Sequence, residues 1–476
     1  MQDIDCHTYS IKYLKNKTYS ISMKTLKSIS ITAVALISDI FLLGAASKPN
    51  FIIILCDDMG YGDLSCYGNP TINTPNIDRM ACAGMKLTQF YVGAAVSTPS
   101  RSALMTGRLP VRNGVYGDKR AVLFPDSKGG LGQDEITLAK VLKQNGYATG
   151  CVGKWHLGAH SPYLPTDHGF DFYFGIPYSN DMSPKQSKGM HARNYPPTPL
   201  ILGDKQIESE PDQGELTRRY TEKSVGFIKG HAKEPFFLYF AHTFPHVPLY
   251  TNARFGGTSK RGLYGDVVEE IDWSVGEILK TLHENGLDEN TFVIFTSDNG
   301  PWLTEHENGG SAGPLKDGKG TWWEGGFRVP AICWMPGKIA PSINNDMMTT
   351  MDLFPTFLNM AGISIPKDIV LDGVNQMPML FDGKPSARDE IFYWWGSELM
   401  AVRKGVWKYY FKTITDQYLP TCKIETPAEP LLYNIETDIS EKINRAKQHP
   451  EIVKQLINIA ENHKQHLIIK PSECDK

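Results

Sequence analysis

The chain of 476 residues lacks most of the features that mark specialised classes of protein. It has no excess of one charge: 49 Lys and Arg stand against 52 Asp and Glu, a net of −3, and there is no basic run. Proteins that neutralise nucleic-acid phosphates need such an excess, so nucleic acid is not the expected partner. No repeat or low-complexity segment is present. No long apolar run is present either. The best, Ile29–Leu43, is interrupted by Asp39, which argues against stable membrane insertion. Cysteine is sparse, with no CxxC or Cys/His spacing that would suggest zinc. Cys6 lies in the N-terminal segment. The other seven (Cys56, Cys66, Cys82, Cys151, Cys333, Cys422 and Cys474) are an odd number, so at least one stays unpaired or bonds elsewhere.

What is present is the composition of an ordinary globular protein, 41% hydrophobic and 21% charged. Glycine (43) and proline (31) are plentiful, which implies many shaped loops. The length predicts two or three domains, or one large α/β domain with an appendage. Residues 1–46 read as a leader. Met23-Lys-Thr-Leu-Lys27 is basic, Ile29–Leu43 is apolar, and Gly44, Ala45 and Ala46 are small, the order of a secretory signal peptide. Residues 1–22 look like upstream sequence, with Met23 as the start. Ser47 rather than cysteine follows, so no lipid anchor is indicated. An exported protein is expected.

From Pro49 to about Gly373, short apolar runs alternate with helical segments, the pattern of a parallel sheet covered by helices. Candidate strands are Phe51–Leu55, Ala148–Val152, Phe236–Phe240 and Phe292–Thr296. Candidate helices are Ile77–Ala83, Ser100–Thr106, Thr137–Asn145, Thr217–Ile228 and Tyr264–Asn285. The last carries Val267, Val268, Ile271, Val275, Ile278, Leu279 and Leu282 on one stripe. Residues 180–215, rich in Pro, Gly and Lys, read as an exposed loop. Beyond about residue 380, Ile391–Trp395, Met400–Arg403 and Val406–Phe411 read as antiparallel strands, and Ile452–His463 as a closing helix. The expected fold is therefore α/β: a large mixed, mostly parallel sheet sandwiched by helices in residues 47–380. A smaller α+β subdomain with a short antiparallel sheet follows in 381–476.

The polar residues follow the strands. Asp57-Asp58 follows the first, Lys154 and His156 follow the second, His242 and His246 the third, and Asp298-Asn299 the fourth. Ligands of open parallel sheets bind at that carboxyl edge. Asp57, Asp58, Asp298 and Asn299 form a hard-oxygen set suited to Ca²⁺ or Mg²⁺. Either pair alone is as well explained by a turn or helix cap, where Asp and Asn are favoured. Both pairs at strand ends of one chain favour a metal. Ser97-Thr-Pro-Ser-Arg101 then opens a helix, with Pro99 well placed for its first turn and an anion-binding N-terminus beside Ser97.

Ser97-Thr-Pro-Ser-Arg101 with Leu104-Met-Thr-Gly-Arg108 resembles the signature of the sulfatase family, within the alkaline phosphatase superfamily. In that family a Cys or Ser becomes formylglycine. Supporting blocks run from about residue 49 to 340: Asp57-Asp-Met-Gly-Tyr-Gly-Asp63, Gly153-Lys-Trp-His-Leu-Gly158, Ser297-Asp-Asn-Gly300, Gly318-Lys-Gly320 and Glu324-Gly-Gly326. Gly175-Ile-Pro-Tyr-Ser-Asn-Asp181 and Pro235-Phe-Phe-Leu-Tyr-Phe-Ala241 are closest to the branch of arylsulfatase A and N-acetylgalactosamine-6-sulfatase. Leu432-Tyr-Asn-Ile-Glu-Thr-Asp438 resembles the family's tail.

The resemblance implies a sulfuric ester hydrolase that cleaves S–O through a formylglycine-sulfate intermediate at oxidised Ser97. It implies one Ca²⁺ per site, in preference to Mg²⁺, on Asp57, Asp58, Asp298 and Asn299. Arg101 would hold the modified residue and the ligand carboxylates. Lys154 and Lys319 would bind sulfate oxygens, His156 would take the proton that drives elimination, and His246 would serve the leaving oxygen. Ser179 would donate to sulfate, with Asp181 in support. The substrate would be a sulfated saccharide such as galactose or N-acetylgalactosamine sulfate, or an aryl sulfate, attacked from its end. A Ser-type member also implies a formylglycine-generating maturase as partner, and a bacterial periplasmic or secreted location. A phosphomonoester or phosphonate hydrolase of the same superfamily stays open, as does a non-catalytic carbohydrate-binding relative with unoxidised Ser97. Trp322, Trp323, Trp394 and Trp395 fit a sugar-stacking wall or, more commonly, core. His242 reads as a core or surface histidine, and His160, His168 and His191 as loop histidines.

Overall fold

The computed structural model describes residues 48–186, 194–415 and 423–476. The expected leader, with Cys6, and also His191 and Cys422 lie outside the described residues. Residues 49–476 form one compact unit. Among the described residues, no helix is long and apolar enough to cross a membrane.

The chain begins with β1 (Asn50–Cys56), α1 (Pro75–Ala83), β2 (Met85–Tyr91) and α2 (Ser97–Thr106). There follow α3 (Leu138–Gln144), β3 (Ala148–Gly153), β4 (Phe172–Gly175), β5 (Pro199–Leu202) and β6 (Lys205–Ser209). Next come α4 (Leu216–Gly230), β7 (Phe236–Ala241), α5 (Leu263–Glu284) and β8 (Thr291–Ser297). The short α6 (Glu324–Phe327) leads into β9 (Arg328–Trp334), β10 (Ser342–Thr349) and α7 (Leu353–Met360). One sheet joins ten of these strands in the order β10-β2-β9-β8-β1-β7-β3-β4-β5-β6. Its centre, β8-β1-β7-β3-β4, is parallel, while β9, β5 and β6 pair antiparallel with their neighbours. The expected mixed, mostly parallel sheet is present.

The sheet is a buried middle layer because β1 is apolar on both faces. Phe51, Ile53 and Leu55 pack with residues of α2, α3 and α7, while Ile52, Ile54 and Cys56 pack with residues of α1, α4 and α5. Each such side chain contributes about 1.5–3 kcal/mol on burial. That apolar mass offsets the cost of the charges gathered at the sheet's edge. The register makes the edge level. Leu55 pairs with Ala241 and Thr296, and Gly153 pairs with Ala241, so β3, β7, β1 and β8 end side by side.

One expectation is corrected. Residues 180–215 are not a single loop: β5 and β6 form a hairpin at the sheet's end, with Leu200 and Ile201 buried. The apolar Pro199–Leu202 segment is too short for its alternation to stand out among the surrounding turn residues.

After α7, the strands β11 (Glu390–Trp395), β12 (Glu398–Lys404) and β13 (Trp407–Tyr410) form an antiparallel sheet. A small pair, β14 (Thr413–Thr415) and β15 (Lys423–Glu425), leads to β16 (Leu431–Asn434), which completes that sheet against β13. The chain closes with α8 (Pro450–Gln465). Trp394, Leu399, Val402, Leu432 and Leu456 from this part pack with Ala103 of α2 and with Leu109 and Val111. The second sheet thus backs the helix that begins with Ser97.

Candidate active site

The level strand ends place acidic residues against one another. Asp298 N donates to Cys56 O (3.0 Å), and Asp58 N donates to Asp298 Oδ1 (3.2 Å), which ties the β1 and β8 exits together. Asn299 Nδ2 donates to Asp58 Oδ1 at 2.7 Å. Asn299 Oδ1, fully buried, has no hydrogen-bond partner. Asp58 has φ 65° and His156 φ 63°, left-handed conformations that side chains other than Gly, Asn and Asp avoid and that gather at functional sites.

Ser97 is the first residue of α2, one turn earlier than the expected helix start, and its Oγ donates to Asp57 Oδ1 at 3.0 Å. The helix stops at Gly107, whose left-handed φ of 65° returns its N–H to Ala103 O. One turn beyond Ser97, Arg101 donates through Nε to Asp298 Oδ2 (3.0 Å) and through Nη1 to Lys154 O (3.0 Å). Its Nη2 lies 2.8 Å from Asp298 and 3.7 Å from Asp57. Lys154 follows β3 through Gly153, which only glycine can fill: φ is 107°, and a Cβ would stand 1.7 Å from Ala241 O. The Lys154 ammonium bonds to Asp57 and lies 3.4 Å from Ser97 Oγ and 3.3 Å from Ser179 Oγ. Lys319 Nζ donates to Asp58 Oδ2 at 2.7 Å. His246 Nε2 stands 3.4 Å from Ser179 Oγ and 3.6 Å from Asp58 Oδ2.

The titration pattern is that of charges confined without water. Burial opposes the Asp57 charge, but Lys154, His246, Arg101 and Lys319 together hold its carboxyl well below the usual range. Burial outweighs Lys319 at Asp58, and neighbouring Asp57 adds to it, so that carboxyl is raised. Burial and then Asp57 push Asp298 up to about 6. Burial, reinforced by Lys319, pushes His246 down to about 3. Burial, then Lys154, takes His156 well below its ordinary value. Both imidazoles are neutral here, and their tautomers follow from their partners. A carbonyl oxygen only accepts, so His156 carries its proton on Nε2, facing Leu123 O at 2.9 Å. Its buried Nδ1 has no partner and remains a base. By the same logic His246 carries its proton on Nδ1, facing Val247 O, and presents Nε2 to the site.

The residues present fit a divalent cation. Asp57, Asp58, Asp298 and Asn299 supply oxygens only, and the orphaned Asn299 Oδ1 is an acceptor no protein donor satisfies. Asp57, Asp58 and His246 offer ligand atoms all within 4.8 Å of one another.

The structure thus brings Asp57, Asp58, Ser97, Arg101, Lys154, Ser179, His246, Asp298, Asn299 and Lys319 into one connected cluster. His156 acts on it through Lys154, Arg101 and Asp57, and half-buried Asp181 through His246. His242 stays apart, fully buried beside Phe240 with neither ring nitrogen hydrogen-bonded. His168 packs near Trp155 and His160 is exposed. Trp322, Trp323 and Trp394 are core, as their commoner use suggested, and Trp395 is half-buried. Two neighbours escape sequence reasoning. Tyr239 OH accepts from Arg101 Nη1 (3.3 Å), and Trp302 lies against Lys319 and His246. Trp302 stands three residues past Asn299, and that proximity is its sole signal in the sequence.

The sequence model of the sulfatase family matches residues 49–363, and that of the C-terminal region of aryl-sulfatase matches 386–476. The chain belongs to the sulfatase family. Bovine arylsulfatase A is 39% identical over 444 residues, covering 87% of each chain. The N-acetylgalactosamine-6-sulfatase of Canis lupus familiaris is 43% identical over 393 residues, covering 79% of this chain and 74% of that one. Among solved structures, a Pseudoalteromonas sp. sulfatase superposes with a TM-score of 0.82 at 29% identity, covering 91% of this chain and 93% of that one. This sulfatase is accordingly a sulfuric ester hydrolase with the fold of the alkaline phosphatase superfamily, and its family implies formylglycine and a divalent metal.

Proposed function

We propose that this sulfatase removes sulfate from the ends of sulfated saccharides, galactose or N-acetylgalactosamine sulfates in particular, with Ser97 oxidised to formylglycine and one Ca²⁺ at the acidic cluster. The observation that carries the reading is the placement of Ser97 Oγ, which touches Asp57 and Lys154 at the start of a helix. The saccharide assignment draws on the similarity to N-acetylgalactosamine-6-sulfatase.

Residue 97 as formylglycine supplies a hydrated aldehyde, one hydroxyl to attack sulfur and a second whose deprotonation releases sulfate without attack by water. A divalent cation on Asp57, Asp58, Asp298 and Asn299 supplies Lewis acidity, and Ca²⁺ suits the all-oxygen set better than Mg²⁺, which keeps most of its waters. The remaining work falls to side chains of the chain itself. Lys154 and Lys319, both buried, place positive charge where sulfate oxygens gain negative charge. Ser179 Oγ donates a hydrogen bond to the same group, with Asp181 in support. Arg101 holds Asp298 and the Lys154 backbone, which keeps the helix start and the two strand ends in register. Asp298 accepts the proton of the attacking hydroxyl. His156 Nδ1 takes the second proton. His246 Nε2 faces the leaving oxygen, and the charge of a bound sulfate ester favours its protonated form.

Around this centre we place a leader at 1–46 and export to a periplasmic or extracellular space. The catalytic domain spans 47–380 and the C-terminal subdomain 381–476, and maturation is by a serine-type formylglycine-generating enzyme. The test is hydrolysis by the protein co-produced with such a maturase. Nitrophenyl sulfate should be turned over far faster than nitrophenyl phosphate, and a panel of monosulfated saccharides should name the sugar. Preference for the phosphate would assign the site to phosphomonoesters instead.

A further inference from the structure

The catalytic cluster has an inside and an outside. Asp57, Arg101 and Lys154 are fully buried, His246 and Lys319 are 4% and 8% exposed, Trp302 is half-buried and Leu303 is 39% exposed. Exposure rises from Asp57, Arg101 and Lys154 toward His246, Lys319 and Trp302, and half-buried Asp181 borders His246 as well, so the site opens on the side of His246 and Lys319. Lys319 Nζ lies 4.1 Å from the centroid of the indole, and the His246 ring 5.4 Å away at 58°. The sulfate group has to sit inward, among Ser97, Lys154, Ser179 and Lys319, so the alcohol that carries it extends outward. Trp302, packed against both Lys319 and His246, offers a broad apolar surface on that side.

We infer that Trp302 is the specificity-determining residue for the leaving group and selects sulfate esters of flat or ring-shaped alcohols, such as a pyranose or an aryl ring. The inference rests on the sulfatase reading and extends it to the group beyond the bridging oxygen. An indole offers a wide, rigid apolar face at low entropic cost, and ring C–H groups or an aryl face pack on it. In this reading Lys154, Ser179 and Lys319 hold the anion and Trp302 the alcohol, so the two are recognised by different residues.

Trp302→Ala, compared with the wild type on 4-nitrophenyl sulfate, is expected to raise KM about 10-fold, the scale of one lost aromatic contact. Competitive inhibition by inorganic sulfate, which has no leaving group, should stay within about twofold. Trp302→Phe should recover most of the lost KM. If the alanine variant does not fold, Trp302→Leu, apolar but not planar, is read in its place. An unchanged KM would overturn the inference. So would a parallel weakening of inorganic sulfate, which would show that Trp302 acts through Lys319. A wild-type protein with formylglycine at residue 97 and no turnover of any sulfate ester would instead overturn the sulfatase reading beneath it.

Discussion

Lys319 and Glu324 lie close in sequence but serve two buried clusters of charge built on opposite rules. Glu324 belongs to one whose buried hydrogen-bonding groups are all partnered. Its Oε1 accepts from Lys408 Nζ (2.9 Å) and Tyr393 OH (3.2 Å), and its Oε2 from Tyr91 OH (2.6 Å), with Arg328 and Arg403 at 3.6 and 3.8 Å. Glu441 accepts the Glu324 N–H at 2.8 Å, and Lys408 also donates to Trp322 O at 2.9 Å. No buried side-chain nitrogen or oxygen of Glu324, Glu441, Lys408 or Arg403 lacks a partner. The cluster at the strand ends leaves acceptors open. Asn299 Oδ1 and His156 Nδ1 have no hydrogen-bond partner. The first cluster spends its charges on joining the C-terminal sheet to α6. The second holds unspent capacity, which is what binding a cation and an anion requires.

The contrast is most severely tested by removing the cation. Chelation should lower turnover of 4-nitrophenyl sulfate at least about 10³-fold, the scale of losing a principal electrostatic stabiliser, and Ca²⁺ should restore it better than Mg²⁺. Turnover indifferent to chelator would break the assignment of the acidic set. Next in size, Lys319→Met should cost about 10²–10³ in kcat/KM, with the stability of the Ca²⁺-loaded protein changed by less than about 1 kcal/mol because the cation still neutralises Asp58. A loss of stability matching the loss of activity would erase the difference between the clusters. The reverse is expected of Glu324→Gln. Weakening the acidic partner of Lys408, Arg403 and Arg328 should cost about 3–5 kcal/mol in urea unfolding, while the folded fraction keeps its turnover number.

The smallest effect is in pH. Burial opposes the charge of Glu324, but Lys408, Arg403 and Arg328 hold its carboxyl down at about 2, against an ordinary 4.5. A depressed folded value means stability that is complete above about pH 4.5 and lost as pH falls through about 2. The gap in urea midpoint between wild type and E324Q should therefore narrow on acidification below pH 4.5. A gap constant from pH 7 to 3 would show that this carboxylate is not held down by its partners.

Much of the catalytic edge is legible in the sequence because it lies just after apolar strands whose type is unmistakable. Phe51–Leu55 and Phe292–Thr296 announce where Asp57 and Asp298 emerge, and the level register that makes them neighbours follows from parallel pairing. The parallel centre of the sheet is legible for the same reason. The β5–β6 hairpin was not, because four apolar residues among prolines and lysines carry too little periodicity. Trp302 was hidden for a different reason. An aromatic residue in a loop is neutral in pattern, and its meaning comes only from Lys319 and His246, seventeen and fifty-six residues away in the chain. The Glu324 cluster shows the same limit: Glu324, Lys408 and Glu441 are separated by long stretches of chain, and no local spacing marks them as partners.

The claim on which the rest depends is that Ser97 is chemically altered at the helix start it shares with Asp57 and Lys154. It is tested most directly by the mass of the tryptic peptide 87–101 from protein co-produced with a serine-type maturase. The account predicts a peptide two hydrogen atoms lighter than its unmodified sequence, in a fraction that tracks sulfatase activity across preparations. An unmodified peptide from protein that nonetheless hydrolyses sulfate esters would contradict it.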